Sequence, residues 1–131
     1  TQIPADNTIP QNTEGDQYMT QAITPSNASS TLLIEAQVQL STSGSAITLA
    51  AALFQDSTAS ALVTGSQFVS LASAITHIRL YWKMAAGTTS ATTFKVRAGG
   101  SGVGTTAFNG FAGQAYGGTS NSFLQITEIL P

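Results

Sequence analysis

One stretch of this 131-residue chain decides its fold: Ile75-Thr76-His77-Ile78-Arg79-Leu80-Tyr81-Trp82-Lys83-Met84. Apolar side chains occupy every second position (Ile78, Leu80, Trp82 and Met84), and more polar ones stand between them. A period of two places alternate side chains on opposite faces of a strand. The stretch therefore predicts a β-strand with one buried face.

The same period continues on both sides of this stretch. Thr93 to Ala98 alternates after a turn at Ala85–Ser90, and Leu32 to Leu40 alternates earlier in the chain. Ile47 to Gln55 is small and apolar on both faces, which is typical of a strand covered twice. Asn109-Gly110 favours a two-residue hairpin turn. Further strands are predicted at 18–23, 62–69, 105–108, 111–116 and 123–130.

These patterns predict an all-β protein. No segment has the 3.6-residue period of a helix, and the turns are rich in Gly, Ser and Thr. We expect an antiparallel β-sandwich of the jelly-roll type with about eight strands over residues 18–131. Residues 1–17 show no periodicity, so we interpret them as an extended arm or linker that enters the domain.

Charged side chains are scarce and unevenly distributed. They make up 8% of the chain, against roughly 25% in an ordinary domain. Hydroxyl groups replace them, with 19 Thr and 15 Ser. The net charge of −2 argues against nucleic acid, and no apolar run reaches the length of a membrane span. Such a surface is typical of an extracellular or virion protein made of strands.

The sequence offers no convincing catalytic group. His77 is the single histidine and there is no cysteine, so a triad lacks its other members. Glu35 and Glu128 could in principle form a carboxylate pair, but strand carboxylates are more often exposed or salt-bridged. We expect no enzyme, no cofactor and no metal, because no acidic or histidine cluster has ligand spacing. Gly99–Gly104 is interpreted as a mobile loop, since no helix follows it.

All four basic residues fall between Arg79 and Arg97. If the turn joins two paired strands, Lys83 lies near Lys95 and Tyr81 near Arg97, and like charges across a ladder repel. Three interpretations stay open: the side chains spread into water, they meet acids at a subunit interface, or they bind an acidic glycan. The expected interface residues are Arg79, Lys83, Lys95, Glu35, Glu128 and Ala51.

A second candidate surface is the glycine-aromatic segment from Phe108 to Gly118. Aromatic rings stack on sugar C–H bonds, and amides read sugar hydroxyl groups. Alternatively, the aromatic residues belong to the core and the glycines to turns, which is the interpretation favoured for Phe108. The expected glycan-binding residues are Phe111, Gln114, Tyr116, Tyr81 and Arg97.

Several short motifs are spread along the chain. They are Ile9-Pro10-Gln11-Asn12-Thr13-Glu14-Gly15, Ile23-Thr24-Pro25, Leu32-Leu33-Ile34-Glu35, Ala52-Leu53-Phe54-Gln55-Asp56, Thr93-Phe94-Lys95-Val96-Arg97-Ala98-Gly99-Gly100, Asn109-Gly110, Tyr116-Gly117-Gly118 and Phe123-Leu124-Gln125-Ile126-Thr127-Glu128-Ile129. Together these motifs resemble the C-terminal domains of bacteriophage tail fibres and tailspikes. The resemblance spans nearly the whole chain, except residues 57–74, although each motif is short.

The resemblance implies a homotrimeric receptor-binding domain at the distal tip of a fibre on the virion. Its partner would be host cell-surface polysaccharide, and residues 1–17 would join an upstream fibre region. Two other hypotheses stay open: a trimerisation and folding cap without a ligand, and a bacterial surface adhesin module. The resemblance assigns no receptor residues to particular positions.

Overall fold

Eight strands and one 3-10 turn form the secondary structure in a computed structural model that describes residues 1–131. The turn covers Tyr116–Gly118, and this chain has no helix with the length and apolarity needed to cross a membrane. The strands are β1 (Asp16–Ile23), β2 (Thr31–Thr42), β3 (Ile47–Gln55), β4 (Val63–Val69), β5 (Thr76–Ala85), β6 (Thr92–Gly100), β7 (Thr106–Phe108) and β8 (Phe123–Ile129).

The strands form two antiparallel sheets. The first sheet has the order β1-β6-β3-β4. In the second sheet β2 is central, with β5 along one edge and β8 and β7 end to end along the other. The chain crosses between sheets after β1, β2, β4, β5 and β6. The expected all-β sandwich is confirmed.

The core lies between the two sheets and follows from the period of two. Leu32, Ile34 and Val38 of β2 are almost fully buried, and they belong to one cluster with Leu53 of β3 and Phe94 of β6. Fully burying one such side chain stabilises the fold by about 1.5–3 kcal/mol. A 15-residue cluster of this kind explains how the sandwich holds without disulfides.

Strand β3 is buried on both faces, as the sequence predicts. Leu49, Ala51 and Leu53 face the second sheet, whereas Ala52 and Phe54 point outward yet are at most 1% exposed. The outward face of the first sheet is crossed by residues 1–15, here called the N-terminal arm. Its main chain forms hydrogen bonds with the end of β6 and with the loop after β3. These bonds run from Ile3 N to Gly100 O (3.2 Å), from Asn12 N to Ala59 O (2.7 Å) and from Ala61 N to Pro10 O (3.0 Å).

Gly99 and Gly100 are where the N-terminal arm meets β6. A side chain at Gly99 would come within 2.7 Å of the Thr1 carbonyl oxygen, so the arm needs glycine there. Both glycines pair with β3, opposite Ala50 and Leu49. The interpretation of Gly99–Gly104 as a mobile loop is therefore wrong for its first two residues, because close packing of main chains requires them.

The connection between β5 and β6 is not the predicted hairpin. Strand β5 pairs with β2, which places Lys83 opposite Leu33, whereas β6 pairs with β1 and β3. The expected closeness of Lys83 to Lys95, and of Tyr81 to Arg97, is therefore wrong. The six residues 86–91 are long enough to cross to the other sheet. The four basic side chains consequently lie on opposite outer faces of the sandwich.

The predicted strand at 111–116 is also absent. Asn109 has a positive φ of 63°, as a tight turn requires, but β7 pairs with β2 and no hairpin forms. A single bridge joins Gly110 to Gln114. A side chain at Gly110 would collide with the Gly113 carbonyl oxygen, so the segment folds back on its own main chain and forms a compact loop.

Candidate functional site

Residues 109–122, here called the end loop, lie at the end of the second sheet where β2 pairs with β7. Ser41 donates a hydrogen bond from its hydroxyl to the Gly110 carbonyl oxygen at 2.6 Å. The Asn109 amide donates to the Gln39 carbonyl oxygen at 3.1 Å. Both bonds come from the last residues of β2, so the rigid central strand positions the loop.

Gln39 is the centre of a polar network behind the end loop, and it is 8% exposed. Its main-chain amide donates to Ser122 Oγ at 2.8 Å, and its side-chain oxygen accepts from the Ser120 hydroxyl. Its amide nitrogen lies 3.1 Å from His77 Nε2. An amide nitrogen only donates, so this contact is a hydrogen bond in the tautomer that leaves His77 Nε2 free to accept. The single histidine thus helps to hold the loop in place.

The end loop carries exposed aromatic side chains. Phe111 is 46% exposed and Tyr116 is 76% exposed. Tyr116 has a left-handed φ of 51° and is followed by two glycines of positive φ; left-handed backbone costs energy for a non-glycine residue and is often kept at binding sites. Gln114 is exposed beside Gly118. The structure therefore brings Phe111, Gln114 and Tyr116 into one loop.

Phe108 does not belong to this exposed group. Its ring stacks on that of Tyr18, with centroids 4.9 Å apart and an interplanar angle of 22°. Both residues pack against the core, and burial raises the pKa of the Tyr18 phenol. The interpretation of Phe108 as a core residue agrees with this geometry.

Two clefts lie on either side of Gly113. The first has a volume of about 420 Å³ and lies beside Phe111, and the second has a volume of about 350 Å³ and lies beside Gln114. Neither cleft is lined by a charged side chain. The first cleft is lined by Ser41, Thr42, Ser43, Ser73, Thr105, Ala107, Phe111, Ala112 and Gly113, and the second by Phe108, Asn109, Gly113, Gln114, Gly118 and Ser120.

The outer face of β5, β2 and β8, here called the open face, is a second candidate surface. Tyr81, Phe123 and Ile129 are exposed there by 53%, 38% and 47%. Arg79 lies over the Phe123 ring at 5.5 Å and forms a 3.4 Å ion pair with Glu35. Unlike the outer face of the first sheet, the open face has no arm across it.

The remaining predicted basic residues have separate surroundings. Lys83 lies exposed on the open face, with no hydrogen bond to the protein. Lys95 donates from Nζ to the Asp56 carbonyl oxygen at 2.9 Å. Arg97 donates to the carbonyl oxygens of Glu14 and Gly15 at 2.7 and 2.6 Å. Arg97 and Tyr81 lie on different sheets, so they do not form one surface, and the guanidinium group of Arg97 contacts the N-terminal arm.

Glu128 and Glu35 lie on opposite faces of the second sheet. Glu128 pairs with Leu32, whose side chain points towards the core, whereas Glu35 lies three residues further along β2 and points outward. Glu128 accepts hydrogen bonds from the Ser26 amide and hydroxyl, both at 2.9 Å. The nearby Ser30 hydroxyl and these Ser26 groups hold the pKa of Glu128 below its ordinary value. Glu128 therefore stabilises the turn before β2 within its own chain and forms no carboxylate pair with Glu35.

Ala51 is fully buried between the sheets of one chain, opposite Gly65 and Ala98. The prediction that it lies in a subunit interface is wrong, since its small side chain is needed where neighbouring strands and the facing sheet meet. The outward face of β3 is likewise covered by the chain's own N-terminal arm.

The sequence did not point to the hydroxyl groups of the first cleft. Ser41, Thr42 and Ser43 follow one another where the alternation of β2 ends, and that break is the one local signal. Ser73 and Thr105 belong to two distant segments of the sequence. They come close to residues 41–43 only in the folded chain. Phe123 was placed in a final strand, but its exposure follows from the pairing of β8 with β2.

A scan against models of known protein families finds no match to this chain, and a search of curated proteins finds no match either. No three His, Asp or Glu side chains converge as metal ligands would. The fold and the two surfaces together define a β-sandwich with a loop-built, uncharged pair of clefts at one end and an open sheet face along one side.

Proposed function

We propose that this chain is a non-catalytic carbohydrate-binding domain whose ligand occupies the end loop. The observation that carries the proposal is Phe111, an exposed ring beside a cleft of about 420 Å³ lined by five hydroxyl-bearing residues. A ring of this kind stacks on the C–H face of a sugar, while hydroxyl groups exchange hydrogen bonds with those of the sugar. Gln114 in the neighbouring cleft adds an amide that both donates and accepts.

The resemblance to phage tail fibres and tailspikes supports a particular setting for this activity. In that setting the chain is a homotrimeric receptor-binding tip, outside the cell on a virion, and attaches to host cell-surface polysaccharide. Shallow clefts of this kind bind single sugar units weakly, and three sites per tip raise the overall affinity through multivalency.

The open face is the surface that we assign to contact between copies. Tyr81, Phe123 and Ile129 supply exposed apolar area, which is the usual centre of an interface. Lys83 and the Arg79–Glu35 ion pair place positive and negative charges on the same face. Two copies can therefore contact each other so that opposite charges, and not like charges, lie against one another. Light scattering tests whether copies assemble at all, because a monomer of 13.4 kDa and a trimer of three times that mass are readily separated.

The test of binding compares Phe111→Ala with Phe68→Ala. Phe68 is also exposed, at 58%, but it lies on β4 and lines neither cleft. Titration of each variant with soluble oligosaccharides found on a glycan array measures single-site affinity without avidity. We expect Phe111→Ala to weaken binding about tenfold or more, which corresponds to about 1.4 kcal/mol, and Phe68→Ala to leave it unchanged. Equal affinities for both variants and the parent chain would show that the end loop is not the carbohydrate-binding site.

The open face also favours a second function, that of a trimerisation and folding cap without a ligand. Intact trimers together with a blank glycan array would support the cap and reject carbohydrate binding. A monomer that binds glycan would instead favour the surface adhesin module, because that function does not need a three-fold assembly.

A further inference from the structure

The placement of the four cations restricts the kind of glycan that the end loop can accept. Lys95 and Arg97 lie on the outer face of the first sheet, where both donate to main-chain carbonyl oxygens. Arg79 lies on the open face and is paired with Glu35. Lys83 pairs with Leu33, towards the end of β2 that lies away from the end loop.

No basic side chain lines either cleft, and His77 does not line them either. The groups that a ligand meets there are hydroxyls, the Asn109 and Gln114 amides, main-chain atoms and the Phe111 ring. A carboxylate, sulfate or phosphate group entering these clefts would lose water without gaining a cation, which is unfavourable. The net charge of −2 adds a weak repulsion towards an anionic polymer.

We propose that the end loop is selective for neutral glycans, built of sugars without carboxylate, sulfate or phosphate groups. This inference rests on the proposed carbohydrate-binding function and names its ligand class. It concerns a different surface from the acidic-glycan interpretation, which placed the ligand on a face of basic residues that the strand pairing divides between two sheets. A neutral ligand recognised by hydroxyl groups and stacking also predicts that affinity does not depend on ionic strength.

The experiment measures binding of the whole chain to neutral polysaccharides (dextran, mannan and galactan) and acidic ones (alginate, hyaluronate and polysialic acid) at pH 7.5. Each titration is run at 20 mM and at 500 mM NaCl. We expect binding to a neutral polymer, with less than a twofold change in affinity between the two salt concentrations. Binding to acidic polymers that is lost at high salt would overturn the selectivity, while Phe111 dependence of that binding would still support the proposed function.

A pair of matched variants identifies the hydroxyl contribution. Thr105→Val removes one hydroxyl from the first cleft at nearly constant volume, and Thr20→Val makes the same change at an exposed position of β1, away from both clefts and from the open face. We expect Thr105→Val to weaken binding to the neutral polymer several-fold and Thr20→Val to leave it unchanged. Equal affinity for the two variants would overturn recognition by the cleft hydroxyls. An array blank for both classes of polysaccharide would overturn the selectivity and the proposed function together.

Discussion

Arg97 Nε donates a hydrogen bond to the main-chain carbonyl oxygen of Glu14 at 2.7 Å. A second bond from the same guanidinium group reaches the Gly15 carbonyl oxygen at 2.6 Å. A cation of β6 thereby holds the N-terminal arm where it turns into β1. Both carbonyl groups belong to the main chain, and the guanidinium group binds them through two separate N–H donors. The arm is thus packed on the first sheet as part of its outer layer.

Arg97→Gln should lower the free energy of unfolding by about 1–3 kcal/mol, because charge-assisted bonds to two half-buried carbonyl groups are lost. Urea denaturation followed by circular dichroism measures the change. Lys83→Gln is the matched control, since it removes the same charge from a side chain with no partner. We expect it to change stability by less than about 0.5 kcal/mol. Equal losses for the two variants would mean that net charge, and not the arm contact, determines the effect.

Ile3→Ala tests the packing of the N-terminal arm. Ile3 is 1% exposed, and truncation of a buried isoleucine costs about 2–5 kcal/mol. Ile9, in the same arm, is 60% exposed, so Ile9→Ala should cost less than about 0.5 kcal/mol. Thermal denaturation distinguishes the two. An arm that detaches in solution would make both substitutions equally mild.

Ala51→Lys should prevent folding of the chain. Ala51 is fully buried between the sheets. An unpaired charge in a core costs several kcal/mol, which is a large share of the roughly 5–15 kcal/mol that stabilises a typical domain. Thr127→Lys on the exposed side of β8 is the control and should fold normally. Far-ultraviolet circular dichroism and amide NMR dispersion report the outcome. A folded Ala51→Lys monomer would return Ala51 to the list of interface residues.

Alternation in β2, β5 and β6 made the burial of their side chains predictable from the sequence. Alternation carries no information on which strand pairs with which, so the sequence wrongly predicts a hairpin at the β5–β6 connection. Residues 86–91 lead to the other sheet because the main chain of Ala86 and Gly87 bonds to Ser30 and Ala28, which continues the contact with the segment before β2. Pairing of that kind depends on distant residues and leaves no local pattern.

The candidate site, like the fold, is only partly predictable from the sequence. Phe111, Gln114 and Tyr116 lie within six residues of one another, so their presence in one loop could be predicted. The hydroxyl-bearing residues beside Phe111 come from separate parts of the chain, 41–43, 73 and 105. Only the tertiary structure brings them together. The sequence also fails to predict the surroundings of Arg97, because the expected neighbour Tyr81 lies on β5, which does not pair with β6.

The hydrogen bonds to the Glu128 carboxylate can be tested through the pH dependence of the chain's stability. The pKa of Glu128 lies below the ordinary value of 4.5 because hydroxyl and amide groups surround the carboxylate. The largest contribution comes from the nearby Ser30 hydroxyl, and smaller ones come from the Ser26 hydroxyl and the main-chain amides of Ser26 and Asn27. A carboxyl group whose pKa is lower in the folded state stabilises the fold above its unfolded pKa, and this contribution is lost as the pH falls through the folded value. Stability should therefore decrease below pH 4.5 in the parent chain.

Carboxyl NMR titration should show a Glu128 pKa below 4.5. Glu128→Gln keeps an oxygen acceptor for the Ser26 amide but cannot titrate, so its stability should depend less on pH in the acidic range than that of the parent chain. Glu128→Ala removes the acceptor and should increase amide exchange at Ser26 and Asn27 at neutral pH, where Glu128→Gln should not. A measured pKa at or above 4.5, with unchanged exchange in Glu128→Ala, would show that Glu128 does not hold the turn before β2 in solution.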